Sequence, residues 1–69
     1  MKTKVFISRI NAPLALKRRI FDFGLQIGEP YLVLFMDKKR GIGVDCSGSV
    51  VIIENALLSM LEVEWKNYS

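Results

Sequence analysis

Six consecutive apolar residues, Tyr31-Leu32-Val33-Leu34-Phe35-Met36, stand between Gly28-Glu29-Pro30 and Asp37-Lys38-Lys39-Arg40-Gly41. The turn residues on either side limit the run to strand length, and its aromatic and β-branched content favours a strand over a helix. A strand without a polar face needs cover on both sides. In a chain of 69 residues, that requirement puts it in the centre of a closed barrel or sets its second face against the helix or a partner.

The flanking segments fit around it. Lys4 to Ile10 reads as a first strand, rich in β-branched and aromatic residues. Asn11-Ala12-Pro13 reads as a helix start, with proline tolerated in the first turn. The spacing predicts a helix over residues 12–23, with Leu16, Ile20 and Phe23 on one stripe and Arg18 and Asp22 placed to pair. Gly24 falls where a left-handed residue can end that helix. Asp37 to Gly41 is a polar hairpin tip. Ile42, Val44 and Cys46 alternate with Gly43 and Asp45, and Ser47-Gly48 turns the chain into a strand over residues 49–53. Glu54-Asn55 caps a helical turn over residues 56–60. Leu61, Val63 and Trp65 then alternate with Glu62, Glu64 and Lys66 in a last strand with one wet face. The expected fold class is mainly β: a single domain over residues 1–69, built as a small five-stranded barrel with one inserted α-helix and a short helical turn before the last strand.

The composition argues against catalysis. Histidine is absent, so the usual neutral-pH general base is missing. Cys46 is the sole cysteine and falls on the apolar side of its strand, which predicts a buried, inert thiol in a reducing compartment. The seven carboxylates are scattered. Glu62 and Glu64 share one strand face, a solvated face or else half of a weak divalent-ion site completed by a neighbouring molecule. The glycines lack the Lys-Ser/Thr that completes a phosphate loop, so they read as turn and cap positions. No enzyme, cofactor or resident metal is expected. No apolar run approaches the ~20 residues of a spanning helix, and Val5-Phe6-Ile7 is too short for a secretion signal. The expectation is a cytoplasmic location without membrane insertion.

What remains is binding. Lys38-Lys39-Arg40 is the densest charge in a chain of net charge +3. It is either a solubilising tip that blunts edge pairing or a contact for an acidic partner, an anionic membrane surface or RNA. Nucleic acid is disfavoured because Phe6, Phe21, Phe23 and Phe35 fall in patterns that predict core, leaving Tyr31, Trp65 and Tyr68 for stacking. Leu25 and Ile27 sit in the link after the helix, packed beneath the barrel end or forming an apolar lip for a partner. Leu34 lies on the strand with two apolar faces, whose surplus predicts a weak homo-oligomer. The candidate partner-binding residues are therefore Leu25, Ile27, Leu34, Lys38, Lys39 and Arg40.

The segment Arg19-Ile20-Phe21-Asp22-Phe23-Gly24-Leu25-Gln26-Ile27-Gly28 resembles the helix exit of the ferrous iron transport protein A (FeoA) family. That exit is Arg-Leu-x-x-Leu-Gly-Leu/Met followed, after a two-residue step, by Gly and a strand. Leu61-Glu62-Val63-Glu64 is similar to the family's closing strand, and the likeness spans roughly Val5 to Glu64. Ile27 stands where the family commonly has proline, and Asp37 to Gly41 replaces its Pro-Leu-Gly-Asp-Pro segment. The resemblance implies an SH3-like barrel, non-catalytic and cytoplasmic, that works in bacterial ferrous iron uptake by binding the cytoplasmic part of the FeoB-type G-protein transporter. The alternatives are a small barrel that binds RNA or another acidic partner through Lys38 to Arg40, and a purely oligomer-forming domain.

Overall fold

A computed structural model describes residues 2–68. The chain runs β1 (Lys2–Ile10), α1 (Leu14–Asp22), β2 (Pro30–Asp37), β3 (Gly41–Cys46), β4 (Ser49–Glu54), α2 (Asn55–Leu58) and β5 (Leu61–Tyr68). All five strands are antiparallel in one sheet of order β4-β3-β2-β1-β5. This is a mainly β, SH3-like barrel. β1 joins β2 to β5, and α2 spans the gap between the two outer strands.

Alternation decides which side chains go inside, except that an irregularity in β1 between Ile7 and Arg9 shifts the phase and turns Ile10 inward. Val5, Ile7 and Ile10 of β1 face Ile42 and Val44 of β3, Ile53 of β4 and Leu61 of β5 across a single core. Tyr31, Ile20 and Leu25 complete it. α1 is shorter than the pattern predicts. Pro13 is its N-cap and makes no side-chain cap bond. The Asn11 N–H instead donates to the Met60 carbonyl at 2.7 Å, tying the end of β1 to the chain just before β5. Ile20 is fully buried, Leu16 is half-buried and Phe23 is exposed, so the expected stripe contributes one core residue. Among the described residues the ion pairs are Arg9–Glu62 and Arg40–Asp37, and the anticipated Arg18–Asp22 pair is not formed.

Gly24 ends the helix as expected, at φ +95°. A Cβ at this position would also lie 2.9 Å from the Cys46 Sγ. Both backbone conformation and space therefore require glycine there.

β2 departs from simple alternation. Val33 pairs with Val44 and Phe35 with Gly43, so Leu34 is an extra residue with no partner opposite. Such a bulge bends the strand and changes the facing of the residues beyond it. Tyr31 and Val33 point toward the core, whereas Leu34, Phe35 and Met36 are all exposed. The expected core placement of the phenylalanines is corrected accordingly. Phe21, Phe23 and Phe35 are exposed, and Phe6 is half-buried beneath the Lys66 ammonium, 5.2 Å from the ring centroid.

Candidate partner-binding surfaces

The link from α1 to β2 separates its two apolar residues. Leu25 is 0% exposed and belongs to the core, so it cannot form part of an exposed lip, and its assignment as a partner-binding residue is corrected. Ile27 is 46% exposed. Its backbone forms a parallel bridge to Ile7, and the Gly28 N–H donates to the Ile7 carbonyl at 2.8 Å. The Tyr31 hydroxyl fixes the path between them. It accepts from the Gln26 N–H at 2.6 Å and donates to the Gly24 carbonyl at 3.3 Å. Burial of the phenol pushes its pKa up, and the Gln26 hydrogen bond opposes that only in part. Tyr31 is thus a structural clamp and not a stacking platform.

Cys46 is half-buried rather than buried, and its Sγ lies 3.8 Å from the Phe23 carbonyl oxygen. Glu62 is engaged by Arg9 at 3.8 Å, and its main-chain carbonyl accepts the Ser8 hydroxyl. Among the described residues no three His, Cys, Asp or Glu side chains converge.

The basic tip is held in place. Asp37 Oδ1 accepts the Lys39 N–H at 2.9 Å, and its Oδ2 lies 3.8 Å from Arg40 Nε. Asn55, at the start of α2, donates its side-chain amide to the Lys38 carbonyl at 2.8 Å and its backbone N–H to the Arg40 carbonyl at 3.0 Å. The Lys38, Lys39 and Arg40 side chains remain exposed. Sequence reasoning assigned Asn55 to a helix cap and missed this long-range tie, for which the sequence carries no periodic signal.

Between α1, β4 and α2 lies an apolar groove of about 250 Å³, floored by Leu16, Phe23, Ile52, Leu57 and Met60 and edged by Arg19 and Glu54. None of these residues stands out in the sequence as a binding residue. Val50 and Ile52 sit on the outward face of β4, opposite Asp45 and Gly43 of β3. Their exposure follows from register: Val51 and Ile53 take the inward positions of the same strand. Leu34 stands apart from this groove, beside Lys2, Thr3 and Met36, where β1 and β2 cease to pair beyond Lys4 and Leu32. The candidate residues are therefore divided: Ile27 lies on the link, whereas Leu34 on the bulge and the basic triplet on the hairpin both lie toward the β2–β3 hairpin end. Among the described residues no helix is long and apolar enough to cross a membrane. No family model matches this chain, and neither a curated protein nor a solved structure matches it significantly.

Proposed function

We propose that this chain is a non-catalytic binding module of bacterial ferrous iron uptake, an accessory protein that docks on the cytoplasmic part of a FeoB-type G-protein transporter. The observation that carries the binding role is the groove of Leu16, Phe23, Ile52, Leu57 and Met60. An apolar slot of this volume accommodates one or two side chains of a partner segment, with Arg19 and Glu54 to orient polar groups at its edges. The iron-uptake context rests on the resemblance of Arg19 to Gly28, and the residues of that motif have defined structural work. Ile20 and Leu25 fill the core, while Gly24 turns the chain out of α1.

The test is a titration of the purified chain with the transporter's cytoplasmic domain. Saturable binding is expected, weakened at least tenfold by Ile52→Glu, which places a carboxylate in the groove. Absence of binding to that domain removes the transporter reading. Binding that is indifferent to Ile52→Glu and to Phe23→Asp removes the groove.

A further inference from the structure

The charge of this molecule is segregated along the barrel. Strand register brings the start of β1, the finish of β5 and the β2–β3 hairpin to one end. That end carries Lys2, Lys4, Lys38, Lys39, Arg40 and Lys66 against Asp37, Glu54 and Glu64: six cations to three anions, which equals the whole formal net charge of +3. The remaining ionic side chains, on α1 and toward the other end, are four cations and four anions. The basic end is also apolar. Leu34 and Met36 are 47% and 67% exposed, and Trp65 and Tyr68 of β5 are exposed as well. Lys2 borders the same depression as Leu34 and Met36, while Lys38 borders another with Met36 and Trp65.

We infer that this end docks on an anionic lipid bilayer surface, with Leu34, Met36 and Trp65 entering the interfacial layer and the surrounding cations facing acidic headgroups. Trp and Tyr favour that layer because one part of each ring system is apolar and one part polar. Basic residues close to an anionic surface each contribute about 1 kcal/mol, and long lysine stems let the charge reach headgroups while the apolar side chains go deeper.

Two other occupants fit less well. Single-stranded RNA would stack on open aromatic faces. Here the Tyr68 ring lies under Lys4 at 5.0 Å, the Phe6 ring under Lys66 at 5.2 Å, and the Phe35 ring against Gly43. An acidic peptide is best recognised by forked guanidinium groups, and five of these six cations are lysines, which act as point charges suited to a diffuse anionic plane.

Trp65 is the only tryptophan, so its fluorescence reports on this end alone. The experiment mixes the intact chain with vesicles of phosphatidylcholine, with and without about one-third phosphatidylserine, and measures co-sedimentation together with Trp65 emission. The expected result is sedimentation and a blue shift with the phosphatidylserine vesicles only, both lost at high salt. Joint replacement of Lys38, Lys39 and Arg40 by alanine should lower partitioning of order a hundredfold, at about fivefold per charge. Met36→Glu should remove the blue shift, whereas Lys17→Ala with Arg18→Ala on α1 should leave partitioning unchanged. Circular dichroism of each variant shows that the fold is retained. No sedimentation with phosphatidylserine vesicles, sedimentation without a Trp65 shift, or stronger binding to poly(U) than to the vesicles overturns the inference. No transporter is present in this assay, so its outcome is independent of the groove.

Discussion

The ring of Phe35 occupies the space that a side chain on Gly43 would need. The two residues pair across β2 and β3 immediately after the Leu34 bulge, so the missing Cβ at residue 43 gives an outward-facing aromatic ring somewhere to rest. Glycine within a strand usually weakens it, and close approach of a neighbour is one of the reasons it is found there. Gly43→Ala should therefore destabilise the protein by about 1–3 kcal/mol through overpacking. In a Phe35→Ala background the same change should cost close to nothing, because alanine suits a strand better than glycine. Urea denaturation of the four proteins in this cycle measures the coupling. An equal cost of Gly43→Ala in both backgrounds would show that the ring and the glycine do not depend on each other.

Leu25 and Ile27 should behave very differently despite their similar chemistry and nearby positions. Leu25→Ala empties a fully buried site and should cost about 2–5 kcal/mol. Ile27→Ala trims an exposed side chain whose structural contacts are made by the backbone, and should stay within about 0.5 kcal/mol. Thermal or denaturant unfolding reads both. A cost at Ile27 matching that at Leu25 would contradict the burial described for this link.

Part of the fold was legible because period-two patterns in β3 and β5 map directly onto inward and outward faces. Ile42 and Val44, and Leu61 and Val63, point toward the core as their alternation predicts, whereas Trp65 at the end of the same pattern is exposed. The uninterrupted run of β2 carried no such phase information. A bulge at Leu34 is a register event between two strands, so nothing in residues 31–36 alone announces it. The aromatic residues misled for a related reason: hydrophobicity places Phe21, Phe23 and Phe35 inside, but a barrel of this size has too little interior to hold them. The groove was hidden for the opposite reason. Its lining joins Leu16 of α1 to Ile52 of β4 and Met60 beyond α2, residues distant in the chain that become neighbours only through the tertiary fold. The basic triplet was visible as a charge run, but its anchoring by Asn55 was not.

Tyr31 sets an alkaline limit on stability. Its hydroxyl is held between the Gln26 N–H and the Gly24 carbonyl, and burial raises its pKa above the ordinary 10.0. The folded state thus disfavours the phenolate more than the unfolded state does. The resulting stabilisation is fully present below pH 10.0 and is lost as pH rises through the higher folded value. Denaturation midpoints measured from neutral to strongly alkaline pH should fall on that limb for the native chain. Tyr31→Phe should lower stability by about 1 kcal/mol at neutral pH, because the Gln26 N–H and Gly24 carbonyl lose their partner, and should flatten the alkaline fall. Parallel alkaline limbs in the two proteins would assign the fall to other groups.

The exposed apolar side chains after the β2 bulge also predict weak self-association of the free chain. Leu34, Phe35 and Met36 lie in sequence on β2, and none of them is covered by α1, whose sole fully buried side chain is Ile20. β2 also loses its β1 partner beyond Leu32, leaving backbone hydrogen-bonding groups along the same stretch for a second copy to meet. Three side chains fall well short of the ~800 Å² per partner that a stable interface buries, so the complex should form only at high concentration. Burying one leucine is worth about 1.5–3 kcal/mol before association costs, which sets the expected effect of Leu34→Glu at roughly tenfold or more in the dissociation constant. Static light scattering over a concentration series should show the apparent mass of the native chain rising and that of Leu34→Glu remaining at the monomer value. Ile27→Glu, on the link between α1 and β2, should track the native curve. A constant monomer mass for the native chain throughout the series would show that this face stays open in solution.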